Sequence, residues 1–184
     1  MKGYIKTLLR EGLGGCNNLF SNESDSRVHA IAISNDLYYY VVKQIKVTLE
    51  HMSPDEYFDE IGGFDYHKKL IDMDTVNKKM GDIKNGVKLD IPYLMYNEYG
   101  DNVGHEGRHR TIAVKNHGCK SIPVMVERHI KDSDVMALAN KLGDLETDDM
   151  IEELKKLGFK SFNNINRISY ILRISKEKGR IVIP

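Results

Sequence analysis

One stretch of the sequence constrains the fold more than any other, because two strand patterns flank a single helix pattern. Leu89–Tyr96 and Ser121–Val126 are rich in the apolar and aromatic residues that favour strands. Glu98–Asn102 is typical of a turn, and Thr111–Asn116 belongs to a helix that His117-Gly118 ends. The order strand, turn, helix, strand therefore predicts a domain that contains both sheet and helix.

Further elements are predicted on both sides of this stretch. Ser53-Pro54-Asp55-Glu56 has the order of a helix start, with a capping residue, then proline, then acidic side chains near the positive end of the helix dipole. The other predicted elements are strands at Val28–Ile33 and Tyr38–Leu49 that pair as a β-hairpin, helices from Ser53 to Ile61 and from Asp72 to Gly86, and helices at Ser133–Leu142 and Thr147–Leu157.

The first 27 residues are predicted to form a separate segment. Gly3–Leu13 has apolar residues at helical spacing, and the polar run from Asn17 to Ser26 is typical of a flexible linker. A helix this short is marginal in water by itself, so its apolar side must pack against something. It packs either on its own domain or, through residues 1–15, on a partner protein.

The composition of the chain excludes several classes of protein. The chain has 27 Lys and Arg against 27 Asp and Glu, which excludes a surface that binds nucleic acid everywhere but leaves room for a local patch. No run reaches the ~18–20 apolar residues of a membrane span or the roughly 7–15 of a secretory signal. The only cysteines, Cys16 and Cys119, lie far apart in the sequence, so we expect no disulfide framework and a reducing setting, either cytoplasmic or phage-associated. Cys119 is predicted to be a small buried or edge residue.

Side chains outside the central stretch are interpreted structurally. His51, His67 and His129 are scattered along the chain and are predicted to be surface or capping histidines. Tyr38-Tyr39-Tyr40 is predicted to pack within a strand rather than to stack on bases. Helix capping explains Asp55 and Glu56, although Glu56 would also approach the octet Val103–Arg110 if the fold closes around that octet.

The octet Val103–Arg110 carries the residues suited to chemistry, and one interpretation is a zinc hydrolase. His105-Glu106-Gly107-Arg108-His109 satisfies the pattern HExxH, in which two histidines one helical turn apart bind zinc and the glutamate activates water. A glycine within the ligand helix and two arginines beside the metal count against it, and Lys115 stands where the extended motif needs a third histidine. Zinc is therefore the weaker interpretation.

The other interpretation of the octet is a phosphate site. A glycine-led turn that enters a helix presents backbone N–H groups to an anion, and the helix dipole favours negative charge there. Arginine and histidine side chains beside the turn add donors for phosphate oxygens, and a glutamate there can hold Mg²⁺ or accept a proton. The predicted phosphate-binding residues are Gly104, Gly107, Arg108, His109 and Arg110, and the predicted catalytic residues are Glu106, His109 and Arg110, with Glu106 also the magnesium ligand.

Three segments together carry a resemblance to a known family. Asn85–Tyr96 has the form of a glycine- and proline-marked strand, Glu106–Lys115 that of an acid-Gly-x-His-Arg box opening a helix, and Gly118–Val126 that of a Gly-x-x-x-Ile-Pro-Val strand. In this order and spacing they resemble the ParB/sulfiredoxin superfamily, over about residues 72–126. Arg108 occupies the position where sulfiredoxin-like members hold their reactive cysteine, so reduction of sulfinic acids is not expected.

The resemblance implies an α+β fold and nucleotide chemistry. The expected organisation is an N-terminal helix and linker at 1–27, a ParB/sulfiredoxin-like domain with a small mixed sheet at 28–130, and a C-terminal helical extension at 131–184. The implied ligand is a nucleotide, ATP or CTP with Mg²⁺, or a nucleic-acid phosphate, bound at Gly104–Arg110 with hydrolysis, phosphotransfer or nuclease activity. The alternative is a non-catalytic interaction module, such as a phage or mobile-element accessory protein, that docks through its N-terminal helix.

Overall fold

The computed structural model describes residues 16–21 and 35–184. Within these ranges the chain contains both helices and a sheet, so the predicted α+β class is confirmed. The described residues divide into two compact units, which we call the first unit (16–21, 49–95 and 102–126) and the second unit (35–48, 96–101 and 127–184). The predicted helix at Gly3–Leu13, its docking through residues 1–15 and the predicted strand at Val28–Ile33 lie outside the described residues.

Four strands form one sheet in the order β1-β4-β2-β3. They are β1 (Ile45–Met52), β2 (Tyr93–Tyr96), β3 (Asn102–Glu106) and β4 (Ile122–His129). The first five residues of β4 are all buried, as expected for a strand with a neighbour on each side. β2 is shorter than the predicted strand, because Pro92 lacks a backbone N–H and the regular strand begins only after it.

Eight α-helices lie within the described residues, together with a 3₁₀ turn at Asn17–Leu19. They are α1 (Leu37–Val41), α2 (Pro54–Glu60), α3 (Phe64–Lys68), α4 (Met73–Lys84), α5 (Arg108–Asn116), α6 (Asp132–Leu142), α7 (Thr147–Lys156) and α8 (Ile165–Lys178). Helices were predicted where α2, α4, α5, α6 and α7 occur, and these predictions are confirmed. No pattern predicted α1 or α3 as a helix.

The start of α2 shows why such helices can be recognised in the sequence. The Ser53 hydroxyl accepts a hydrogen bond from the Glu56 backbone N–H at 3.1 Å, and the Glu56 carboxylate accepts one from the Ser53 N–H at 2.6 Å. These bonds lower the pKa of Glu56 below its ordinary value. Glu56 is therefore a capping residue, as predicted.

The predicted strand over Tyr38–Leu49 is wrong in its first half. Leu37–Val41 is a helix, because the Asp36 side chain caps it by accepting hydrogen bonds from the backbone N–H groups of Tyr38 at 2.8 Å and Tyr39 at 3.4 Å. A cap of this kind offers the backbone helical hydrogen bonds that outweigh the β propensity of three tyrosines. The strand begins only at Ile45, after Gln44 adopts a positive φ of 53°.

The prediction that the cysteines form no disulfide is wrong, whereas Cys119 is buried, as predicted. Cys16 and Cys119 form a disulfide, with Cα atoms 5.7 Å apart across a sequence separation of 103 residues. Residues 16–21 are held in the first unit rather than forming a linker, since Phe20 is buried and forms a β-bridge with Leu89. Cysteine spacing alone carries no information about such long-range closure. The two cysteines therefore give no reason to expect a reducing compartment.

The second unit has its own apolar core. α1, α6, α7 and α8 supply buried side chains to it, and α8 alone contributes Ile168, Ile171 and Leu172. In the part of the chain that the structure describes, we find no helix with both the length and the apolar character that crossing a membrane requires.

Candidate functional site

The octet Val103–Arg110 folds as the end of a strand, a one-residue turn and the start of a helix. β3 ends at Glu106, Gly107 takes a left-handed conformation with φ 117° and ψ 11°, and α5 begins at Arg108. A Cβ atom on Gly107 would lie 2.9 Å from the Cβ of Pro92 and 3.0 Å from its Cα. Only glycine fits this position, since both the backbone angle and the space exclude a side chain.

This geometry removes the basis of the zinc-hydrolase interpretation. His105 and Glu106 lie on β3 and His109 lies on α5, so the two histidines do not share the helix that HExxH chemistry requires. Among the residues that the structure describes, no group of three His, Cys, Asp or Glu side chains is placed to hold a metal ion.

Gly104 and Arg110 are placed differently from the prediction. Gly104 lies within β3, where a Cβ would meet the Met95 side chain at 3.5 Å, and not in the turn. Arg110 is buried, with 8 % of its surface exposed. Its guanidinium forms an ion pair with Glu106, donates a hydrogen bond to the Ile91 carbonyl oxygen at 3.3 Å, and lies 4.0 Å from the Asp90 carboxylate.

The burial of Arg110 makes it a supporting residue of the turn. Desolvation lowers the pKa of its guanidinium, and the nearby Asp90 and Tyr57 oppose this by favouring the charged form. Its Nε is buried without a hydrogen-bond partner in the described residues. The charge of Arg110 is thus balanced by the half-exposed carboxylates of Glu106 and Asp90 and is not offered to a ligand.

Glu106 does not fit the role of a magnesium ligand. Its carboxylate is paired with Arg110, and its backbone carbonyl oxygen accepts a hydrogen bond from the Tyr57 hydroxyl at 3.0 Å. Mg²⁺ requires near-octahedral oxygen ligands, usually from one or two carboxylates with water and substrate phosphates. A carboxylate neutralised by an arginine is a poor member of such a set, so we assign no step to Mg²⁺.

Arg108 is paired with His67, which was predicted to be a surface or capping histidine. His67 is buried, and its Nδ1 accepts a hydrogen bond from Arg108 Nη1 at 3.2 Å. Because a carbonyl oxygen only accepts, His67 Nε2 must donate to the Ile61 oxygen 2.6 Å away. Both ring nitrogens are thereby assigned, and His67 in this arrangement is the neutral tautomer with its proton on Nε2.

Two further histidines border Arg108. The His105 ring meets the His67 ring almost at a right angle, with centroids 5.0 Å apart. Burial and the charge of Arg108 lower the pKa of His105 below its ordinary value of about 6.5. His109 accepts a hydrogen bond at Nε2 from the Asp72 backbone N–H at 3.1 Å, which leaves Nδ1 as its protonated nitrogen.

We call His67, His105, Arg108 and His109 the cationic cluster. Within residues 16–21 and 35–184, no carboxylate lies within 4.0 Å of the Arg108 guanidinium, whose hydrogen-bond partner is a neutral imidazole. The cluster also stands at the first turn of α5, where the helix dipole is positive. An arginine that no carboxylate neutralises, at such a position, is suited to bind an anion.

Comparison with known proteins identifies no family for this chain. No family model, no curated protein and no solved structure matches it. A function is therefore inferred from the chemistry of the cluster. Within that chemistry, His67 and Asp72 were missed from the sequence, since their contacts with Arg108 and His109 join positions 41 and 37 residues apart.

Proposed function

We propose that the cationic cluster binds the phosphate group of a nucleotide or a nucleic acid. The observation that carries the proposal is the Arg108 guanidinium, which is hydrogen-bonded to neutral His67 and paired with no described carboxylate. A buried or half-buried arginine normally has a counter-charge, because desolvating an unbalanced charge is costly. A phosphate oxygen supplies that counter-charge in forked geometry.

Each residue of the turn has a separate role in this proposal. Arg108 contacts the phosphate, with the His109 Nδ1–H and the backbone N–H groups at the start of α5 as further donors. Gly107 brings the backbone close to the ligand. The ion pair between Arg110 and Glu106 supports the turn from within the first unit. The resemblance to the ParB/sulfiredoxin superfamily implies a phosphate contact at this same turn, and the geometry favours Arg108 over Arg110 for it.

The proposal is tested by equilibrium binding of ATP, CTP and inorganic phosphate, each measured calorimetrically with the full chain. Arg108→Gln should weaken binding at least tenfold, since a charge-assisted hydrogen bond contributes about 1.5–3 kcal/mol. Arg173→Gln is the matched control, because Arg173 is exposed on α8 in the second unit. Equal binding by wild type and Arg108→Gln, or no binding of any of these anions, would refute the proposal.

Hydrolysis of a phosphate ester is a second candidate, favoured by the lowered pKa of His105. A neutral imidazole accepts the proton of an attacking water, while the new P–O bond forms and the bond to the leaving group breaks. Glu106 is the weaker candidate for this base, because Arg110 holds its carboxylate. With bis(p-nitrophenyl) phosphate as substrate, His105→Gln should abolish hydrolysis and weaken phosphate binding much less than Arg108→Gln does. Unchanged hydrolysis in that variant would exclude His105 as the base.

A further inference from the structure

The second unit encloses a cavity that the proposed phosphate site does not use. Its volume is about 360 Å³, and the described residues that line it all belong to the second unit. Small-molecule pockets have volumes of about 300–1,000 Å³ and are lined mainly by apolar and aromatic side chains with a few polar groups. The cavity is therefore large enough for a small organic ligand, and its walls indicate which kind.

The apolar walls of the cavity fit a ligand whose apolar part is flat or narrow. Tyr40 and Phe159 meet edge to face, with ring centroids 5.1 Å apart and an interplanar angle of 87°. Leu138 forms a buried part of the wall, and Leu157 lines the cavity although 47 % of its surface is exposed. An exposed leucine beside two aromatic rings is apolar surface that a ligand would remove from water.

Three of the residues that line the cavity carry hydrogen-bond donors. They are Lys46, Tyr40 and Asn35, and none of their side chains has a hydrogen-bond or ion-pair partner among the residues that the structure describes. Burial and the charge of Asp134 raise the pKa of Tyr40, so its hydroxyl stays protonated and donates.

Asp36 supplies the one carboxylate among the described lining residues, and it already accepts several hydrogen bonds. Asp36 accepts hydrogen bonds from the Tyr38 and Tyr39 backbone N–H groups at the start of α1. Its other oxygen accepts from the Ser161 hydroxyl and from the Asn163 amide. A carboxylate with four donors has little capacity left for a ligand amine, whereas the Lys46 side chain has no partner among the described residues.

We propose that this cavity binds a small carboxylic acid with an aromatic or apolar body. The carboxylate accepts from Lys46, Tyr40 and Asn35, and the body lies against the Tyr40 and Phe159 rings and the two leucines. This site is independent of the proposed phosphate site, because it shares no residue with the cationic cluster.

The test is an NMR titration of the ¹⁵N-labelled full chain with 3-phenylpropionate and with its neutral amide, 3-phenylpropionamide. The acid should shift the backbone resonances of Val47 and Gly158, with a Kd at least tenfold lower than that of the amide. Lys46→Gln should raise the Kd of the acid about tenfold and leave that of the amide unchanged. Lys43→Gln is the matched control, since Lys43 is exposed in the same unit and does not line the cavity.

Three results would overturn the proposal. Absence of shifts with both compounds would show that the cavity does not take this class of ligand. Equal affinities for acid and amide, or an acid Kd unaffected by Lys46→Gln, would exclude recognition of the carboxylate by Lys46. Shifts confined to Gly107–Thr111 and abolished by Arg108→Gln would mean that the acid binds the cationic cluster instead.

Discussion

Two arginines on α5, two residues apart, have opposite surroundings. Arg110 is buried and ion-paired with Glu106, whereas Arg108 is half-buried and hydrogen-bonded to neutral His67. Two residues correspond to a rotation of roughly 200° about a helix axis, so the side chains leave on opposite sides. The turn at Gly107 therefore has an inner layer and an outer layer. The inner layer is Arg110 with Glu106, which supports the turn, and the outer layer is Arg108 with His67, which is suited to bind an anion.

Removing the disulfide should cause the largest loss of stability, and it should leave the cationic cluster unaffected. Cys16→Ser with Cys119→Ser opens a link across 103 residues, for which a loss of about 2–4 kcal/mol in the free energy of unfolding is expected. Urea unfolding measures the loss. Phosphate binding by the folded protein should stay within about twofold of wild type, and a larger loss would show that residues 16–21 also shape the cationic cluster.

Gly107→Ala tests the junction of the two layers. A positive φ and a Cβ placed 2.9 Å from Pro92 both add strain, so the free energy of unfolding should fall by about 3 kcal/mol. Gly118→Ala is the control, because Gly118 has a φ of 96° and nothing within 4 Å of the added atom. The control should lose only about 1 kcal/mol in urea unfolding. Equal losses would mean that the contact with Pro92 is readily relieved.

Arg110→Ala removes the inner layer. The expected loss is about 2 kcal/mol of unfolding free energy, because the Ile91 carbonyl and the Glu106 carboxylate lose their partner while Glu106 keeps part of its contact with water. Arg108→Gln should change the free energy of unfolding by less than about 0.5 kcal/mol. If Arg108→Gln destabilises the protein as much as Arg110→Ala, the distinction between the layers is wrong.

The smallest effect concerns the protonation of His105. Its pKa is lowered in the folded protein, so between that value and about 6.5 the unfolded chain binds more protons than the native one. Stability should therefore fall as the pH is lowered through this window. NMR titration of the His105 ring should give a midpoint below 6.5 that moves upward when phosphate is added. A midpoint that phosphate leaves unchanged would show that His105 does not lie at the anion site.

Prediction from the sequence succeeded where the signal is local. Ser53 and Asp72 cap their helices through partners at most three residues away, and both helices were predicted with nearly correct bounds. The strand predicted over Tyr38–Leu49 failed because Asp36 caps α1 and β propensity was given more weight than this cap. Within the candidate site, the turn at Gly107 was located correctly, but the roles of Arg108 and Arg110 could not be separated.

By itself the sequence determined the mixed composition of helix and strand, the positions of several caps, and the presence of a glycine-led turn beside three side chains that can carry positive charge. Those features depend on hydrogen bonds and backbone angles within a few residues. Only the tertiary structure decided that Arg110 is buried, that His67 joins Arg108, and that Cys16 meets Cys119. The physical reason is that these contacts depend on which elements pack together, and no spacing along the chain records that.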